Sequence, residues 1–172
     1  ITGAGKIGGT QARRLTALRG YPGTVRRRAN GRLRRMGDWQ RTLGRSGLSV
    51  TAIGLGLAAL GRPGYLTLGH GQDLGADRSV EAMERQAHEV LDFAHDAGVR
   101  YFDAARSYGG AEAFLASWLE RRDIAPAAVT VGSKWGYVYT AGWQVDAEPA
   151  EVKDHSVDNF RRQVVETTEL LG

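Results

Sequence analysis

Three side chains with acid–base chemistry, Asp103, Tyr108 and Lys134, stand at the ends of two short apolar runs or just after them. A lone phenol, with a pKa of about 10, exchanges protons poorly at neutral pH. A neighbouring ammonium favours the phenolate, and a carboxylate paired with that ammonium keeps it charged and oriented. These three residue types are therefore suited to deliver a proton to a carbonyl oxygen while hydride reaches the carbonyl carbon.

The elements around these residues predict that they meet at one edge of a parallel sheet. Gly44 to Gly47 predict the turn of an opening hairpin. The predicted strands cover residues 50–56, 99–103 and 129–133. The predicted helices cover residues 79–98, with Ser79 as the cap, 111–121, and 156–172, with Ser156 as the cap. A long glycine-rich loop is predicted over residues 57–78, and a polar loop is predicted between the third strand and the last helix. Strands that alternate with helices indicate a parallel sheet, and side chains at the carboxyl ends of such strands share one mouth.

Two motifs resemble those of the aldo-keto reductase family. The segment Phe102-Asp103-Ala-Ala-Arg-Ser-Tyr108-Gly109 is similar to that family's Phe-Asp-Thr-Ala-x-x-Tyr-Gly signature. Val131-Gly-Ser-Lys134 resembles its lysine-bearing strand, and the resemblance extends over roughly residues 40–172. It implies an α/β fold that forms the N-terminal part of a (β/α)₈ TIM barrel, with an opening hairpin and three βα units.

The same resemblance implies an NAD(P)(H)-dependent oxidoreductase that interconverts a carbonyl (aldehyde, ketone or sugar) and an alcohol. NADPH is the expected cofactor, with NADH as the alternative. Asp103, Tyr108 and Lys134 would be three members of the catalytic tetrad, with Tyr108 as the general acid/base. The expected neighbours of the nicotinamide are Gly56, Leu57, Ala58 and Asp103, and Trp135 is expected to line the substrate mouth.

The chain departs from the family pattern in two respects. Ala104 replaces the threonine of the signature, which should not affect the chemistry. The family's fourth tetrad member, a histidine at the end of the fourth strand, has no counterpart up to Gly172, and His155 lies on the wrong element to replace it. We therefore expect an incomplete N-terminal portion that is inactive alone. The alternative is a catalytically inactive partial barrel that acts as an interaction or auxiliary subunit through its open sheet edge.

Charge divides the chain into two parts. Residues 1–40 hold ten Lys or Arg and one acid, whereas the remainder is mildly acidic. Residues 1–35 are predicted to be a basic arm, disordered or spurious, and residues 36–172 the partial barrel. The Gly-x-Gly-x-x-Gly pattern at residues 3–8 lacks both the preceding strand and the later acid of a dinucleotide site. Nucleic-acid binding through the charge of the arm is a competing, less favoured interpretation.

Composition excludes several other classes of site. The chain has no cysteine, which excludes disulfides, thiolate metal sites and cysteine nucleophiles. His88 and His95 have no third ligand near them in sequence, so no metal is expected. No apolar stretch approaches the roughly 20 residues that span a bilayer. The basic run before Leu48 resembles a secretory signal but lies deep in the chain, so a cytoplasmic protein without a membrane partner is predicted.

Overall fold

The computed structural model of the chain describes residues 39–64 and 77–172. The predicted basic arm and the boundary at Met36 lie outside the described residues and stay predictions. The same holds for most of the long glycine-rich loop that precedes the first helix.

The described elements follow the order of the opening part of a (β/α)₈ barrel. A hairpin of β1 (Gln40–Thr42) and β2 (Ser49–Thr51) comes first. A parallel sheet with strand order β3-β4-β5 follows, built from β3 (Leu55–Gly56), β4 (Tyr101–Asp103) and β5 (Thr130–Gly132). The helices are α1 (Val80–Asp96), α2 (Ala111–Arg121) and α3 (Val157–Leu171). The α/β class and the partial barrel are thus confirmed.

Two sequence predictions are wrong in detail. The apolar run 50–56 is not one strand, because Val50 and Thr51 pair with β1 and only Leu55–Gly56 joins the parallel sheet. The segment after β5, predicted as a polar loop, instead forms an antiparallel hairpin of β6 (Tyr137–Tyr139) and β7 (Glu151–Lys153). The pairing partners of the strands decide both cases, and the periodicity of the apolar residues does not show where one strand ends and the next begins.

The helix ends follow the local signals that predicted them. The Ser79 hydroxyl accepts a hydrogen bond from the Ala82 N–H at 3.3 Å, and the Ser156 hydroxyl accepts one from the Asn159 N–H at 3.2 Å. Each side chain satisfies one of the N–H groups that have no partner inside the helix. Gly98 follows α1 with φ of 96°, the left-handed conformation that glycine adopts without steric strain.

The main core lies between the parallel sheet and the first two helices. Its fully buried side chains include Phe102 from β4, Leu91 from α1, and Leu115 and Trp118 from α2. The Trp118 ring lies 5.2 Å from the Phe102 ring, centroid to centroid, and its Nε1–H donates to Asp92 Oδ1 at 2.8 Å. Trp118 therefore joins α1, α2 and the sheet, and its one polar atom is satisfied.

The third helix has an unusual distribution of polarity. Its buried residues are Asn159 and Gln163, whereas Phe160 and Val164 are 41% and 42% exposed. Gln163 accepts from the Gly136 N–H and donates to the Tyr137 carbonyl, both at 2.8 Å. Polar side chains thus attach α3 to the segment after β5, and the apolar pattern seen in the sequence faces mainly outward.

Candidate active site

The carboxyl ends of the parallel strands bring Asp103 and Lys134 together. Asp103 is the last residue of β4, and in the sheet register it lies between Gly56 and Gly132. Lys134 follows β5 by two residues, and its Nζ donates to Asp103 Oδ2 at 2.5 Å and to the Ala104 carbonyl at 2.8 Å. The change from threonine to Ala104 does not affect this contact, because only the backbone of residue 104 takes part.

Tyr108 completes the cluster from the loop after β4. The Lys134 Nζ lies 4.9 Å from the centroid of the Tyr108 ring, within the distance of a cation–π interaction. The ring also packs against the main core, which limits its movement. The structure thus places together the three residues that the sequence singled out, and one ammonium contacts both the acid and the phenol.

A close crossing of two loops fixes the turn that carries Tyr108. The Gly110 N–H donates to the Gly61 carbonyl at 2.6 Å. A Cβ added to Gly61 would overlap the Tyr108 carbonyl oxygen and would lie 2.6 Å from Ala111 N. The loop after β3 can approach the Tyr108 turn this closely only because residue 61 has no side chain.

Gly61→Ala is therefore expected to destabilise the protein by about 1–3 kcal/mol, as overpacking does elsewhere. The reason is that the added methyl group would overlap backbone atoms, which cannot avoid the clash by a change of rotamer. Urea unfolding would measure the loss. Gly56→Ala is the matched control, since a Cβ there meets no atom within 4 Å. Equal stability of the two variants would show that the loop crossing is not tightly packed.

A second tyrosine, Tyr139 on β6, has a raised pKa. Burial raises the pKa of the Tyr139 phenol, and the Trp143 backbone and the Arg62 guanidinium only partly oppose that rise. A raised pKa moves a phenol further from neutral pH. Tyr139 is also on β6, outside the contact between Asp103 and Lys134.

The residues expected near a cofactor differ in how far they are exposed to solvent. Gly56 is exposed, and a Cβ placed there would meet open space. Leu57 is fully buried in the core, and its N–H donates to the Asp103 carbonyl at 2.8 Å, so its side chain is not available to a ligand. Ala58 is half-buried. Gly56, which neighbours Asp103 in the sheet, leaves that side of the strand ends open, a geometry that fits a flat ring.

Trp135, the expected substrate residue, is 42% exposed directly after Lys134. Its ring lies 4.8 Å from the Phe160 ring and 5.4 Å from the His155 ring, between centroids. His155 therefore belongs to this aromatic group rather than to the Asp103–Lys134 contact. An exposed aromatic face beside the lysine suits contact with an organic substrate.

Sequence reasoning missed a buried polar network behind β5. The Glu112 carboxylate, in the first turn of α2, is 3% exposed. It accepts hydrogen bonds from Arg106, from Ser133 at 2.5 Å and from Thr167 at 2.8 Å. Arg106 also donates to Glu166 on α3 at 2.5 Å. Only the presence of two polar residues, Arg106 and Ser133, within the recognised motifs could have pointed to this network.

The cluster of His88, Ser117 and Glu84 does not form a catalytic site. His88 Nε2 lies 3.0 Å from Ser117 Oγ, but that hydroxyl donates to Glu84 at 2.5 Å. A catalytic serine would instead give its proton to the histidine, and the acid would bind the other ring nitrogen.

Among residues 39–64 and 77–172, no three His, Cys, Asp or Glu side chains are grouped to hold a metal. Within those ranges, no helix has the length and apolar character needed to cross a membrane.

A cavity of about 500 Å³ lies away from the lysine. Leu48, Ile124, Val129 and Leu171 are among its lining residues, which places it near the start of β5 and the end of α3. Barrel enzymes place their chemistry at the opposite, carboxyl ends of the strands. The cavity therefore does not mark the candidate active site.

Comparison with known proteins identifies the class. The sequence profile of the aldo/keto reductase family matches residues 52–171. The chain is 29% identical over 153 residues to pyridoxal 4-dehydrogenase of Microbacterium luteolum. Two solved structures from Pseudomonas aeruginosa, both assigned to the aldo-keto reductases, superpose with TM-scores of 0.56 at 26% and 27% identity. Because the family match covers most of its length, the chain belongs to the aldo/keto reductase family.

The matches cover most of this chain but less than half of each relative. The alignment takes in 77% of the chain and 40% of the pyridoxal dehydrogenase. The superpositions take in 79% of the chain and 43% of each Pseudomonas protein. The chain therefore spans less than half the length of the relatives that it matches.

Proposed function

We propose that the chain is the N-terminal portion of a nicotinamide-dependent reductase that interconverts a carbonyl compound and an alcohol. The observation that carries this proposal is the single ammonium, Lys134 Nζ, that binds the Asp103 carboxylate and lies over the Tyr108 ring. Tyr108 is the general acid that protonates the carbonyl oxygen during reduction, and it removes that proton during oxidation. Asp103 holds the lysine ammonium over the Tyr108 ring.

The cofactor would supply the hydride that tyrosine, lysine and aspartate cannot. Gly56 and Ala58 would accommodate its nicotinamide end, together with the Asp103 carboxylate, and the buried Leu57 would support them from within the core. NADPH is the proposed cofactor, with NADH as the alternative. Trp135 would contact the substrate. The residues present fit such a group because Gly56, beside Asp103 in the sheet, opens onto free space.

The test is hydride transfer by the purified product of the whole reading frame, called the full-length product below. Aldehydes, ketones and sugars are assayed with NADPH and NADH, and pyridoxal, the substrate named for the Microbacterium relative, with the oxidised cofactors. We expect turnover with at least one carbonyl class and a preference for one cofactor. Absence of both turnover and cofactor binding would contradict the proposal.

The 172-residue chain alone is expected to show no turnover and a poorly cooperative melt. The proposed activity needs a fourth tetrad member, and three βα units leave Phe160, Val164 and Val157 of α3 exposed. Calorimetry and the same hydride assay would check this expectation. A cooperative melt with ordinary reductase activity would show it to be wrong.

The exposed apolar side chains of α3 also favour a second candidate, an inactive partial barrel that serves as an auxiliary subunit. It predicts that the full-length product neither binds a nicotinamide cofactor nor transfers hydride. The domain limits predicted from the sequence, a basic arm over residues 1–35 and the barrel portion over 36–172, form part of both proposals. So does a cytoplasmic location.

A further inference from the structure

The buried network behind β5 contacts the residue immediately before the lysine. Side chains on a strand alternate between its two faces, and this alternation continues past the end of β5. Lys134 therefore points towards Asp103, whereas Ser133 points towards the helices and donates to Glu112 at 2.5 Å. Ser133, which belongs to the network, is therefore the neighbour in sequence of the residue that carries the ammonium, Lys134.

The backbone around Lys134 is also tied to the loop after β4. The Ala104 N–H donates to the Gly132 carbonyl at 2.8 Å, and the Arg106 N–H donates to the Lys134 carbonyl at 3.0 Å. Arg106 is thus attached to the lysine through its backbone and to Glu112 through its side chain. The Glu112 carboxylate consequently closes a ring of contacts that includes both segments of the candidate active site.

We infer that Ser133 and Glu112 are positioning residues that hold the Lys134 ammonium against Asp103 and over Tyr108. A buried carboxylate is retained here because it accepts from both sides of the ring, from Ser133 and from Arg106. The inference rests on the proposed function, since a fixed ammonium matters only where it assists Tyr108. Neither Ser133 nor Glu112 touches the reacting atoms, so both act through the lysine.

Because the chain has few lysines, chemical labelling can measure directly how accessible the Lys134 ammonium is. It contains three lysines, Lys6, Lys134 and Lys153. The rate at which acetic anhydride labels Lys134 in the folded full-length product, relative to the exposed Lys153, reports how firmly the Lys134 ammonium is held. Peptide mass spectrometry separates the sites. Asp103→Asn is the reference, because it removes the charge that holds the ammonium and should raise the Lys134 rate about threefold or more.

Ser133→Ala should raise the relative labelling of Lys134 by about two- to twelvefold, the range set by the net free energy of one hydrogen bond. Ser133→Thr, which retains the hydroxyl, should restore the original rate. Thr167→Val is the matched control: it removes a hydroxyl that donates to the same Glu112 oxygen but lies on α3, away from the lysine. It should leave the Lys134 rate unchanged.

A second pair of variants covers the case in which Ser133→Ala fails to fold. Glu112→Gln and Glu166→Gln each neutralise a carboxylate that accepts from Arg106. Both Glu112 oxygens accept hydrogen bonds, and an amide has only one accepting oxygen, so Glu112→Gln must lose a contact. Only Glu112→Gln should raise the labelling of Lys134.

Three results would overturn the inference. Unchanged labelling in Ser133→Ala, with a raised rate in Asp103→Asn, would leave the proposed function intact and remove the positioning role. Equal rises in Ser133→Ala and Thr167→Val would indicate general loosening and would also remove it. If Asp103→Asn does not raise the rate, the acid does not hold the ammonium, and the proposed function fails together with the inference.

Discussion

Replacing Tyr108 by phenylalanine in the full-length product should lower kcat for carbonyl reduction by about a hundred- to ten-thousandfold, the usual contribution of a general acid. The change removes only the hydroxyl. The ring remains, so its contacts with the core and with the Lys134 ammonium are retained. Cofactor affinity should therefore stay close to that of the unchanged protein, as measured by fluorescence titration with the reduced cofactor.

The same substitution at a second tyrosine is the control. Tyr137 on β6 is 39% exposed, and its ring faces His155 rather than the lysine. Tyr137→Phe should leave kcat within about twofold, since no proton donor of the proposed reaction is lost. Retention of most of the activity by Tyr108→Phe would remove Tyr108 from the proton-donor role.

Trp118→Ala should lower the free energy of unfolding by about 3–5 kcal/mol, because it empties the largest fully buried position of the core. The loss includes the ring contact with Phe102 and the hydrogen bond to Asp92. Domains are typically stable by about 5–15 kcal/mol, so one substitution would remove a large fraction of the total. Urea unfolding of the full-length product, followed by circular dichroism, would measure the change.

Trp135→Ala provides the comparison for Trp118. Trp135 is 42% exposed, so its truncation leaves no closed cavity. We expect it to cost less than half as much stability as Trp118→Ala. If Trp118→Ala costs as little as Trp135→Ala, the interface between the helices and the sheet does not depend on Trp118.

The parts of the fold that local chemistry determines could be predicted from the sequence. Ser79 and Ser156 mark the starts of helices because their hydroxyls accept hydrogen bonds from N–H groups of the first turn. Gly98 marks the end of a helix because it adopts the left-handed conformation. The cluster of Asp103, Tyr108 and Lys134 could be predicted because parallel strands align their carboxyl ends. Its chemical roles remain predictions until the variants are measured.

The parts that depend on distant partners could not be predicted. Glu112, in the first turn of a helix, has the pattern of an exposed residue that complements the helix dipole. Its burial depends on Ser133 and Thr167, which are 21 and 55 positions away in sequence. The pairing of β6 with β7 likewise depends on a return of the chain that no local pattern indicates.

The polar inner face of α3 determines the rotation of that helix about its own axis. Apolar side chains tolerate sliding and turning against one another, because dispersion contacts have little directionality. The amide of Gln163 has specific acceptor and donor partners in Gly136 and Tyr137, and Asn159 donates to the Asp154 carbonyl at 2.7 Å. A helix turned to bury Phe160 and Val164 would lose all three hydrogen bonds. The outward direction of these two side chains therefore follows from the hydrogen bonds of Gln163 and Asn159.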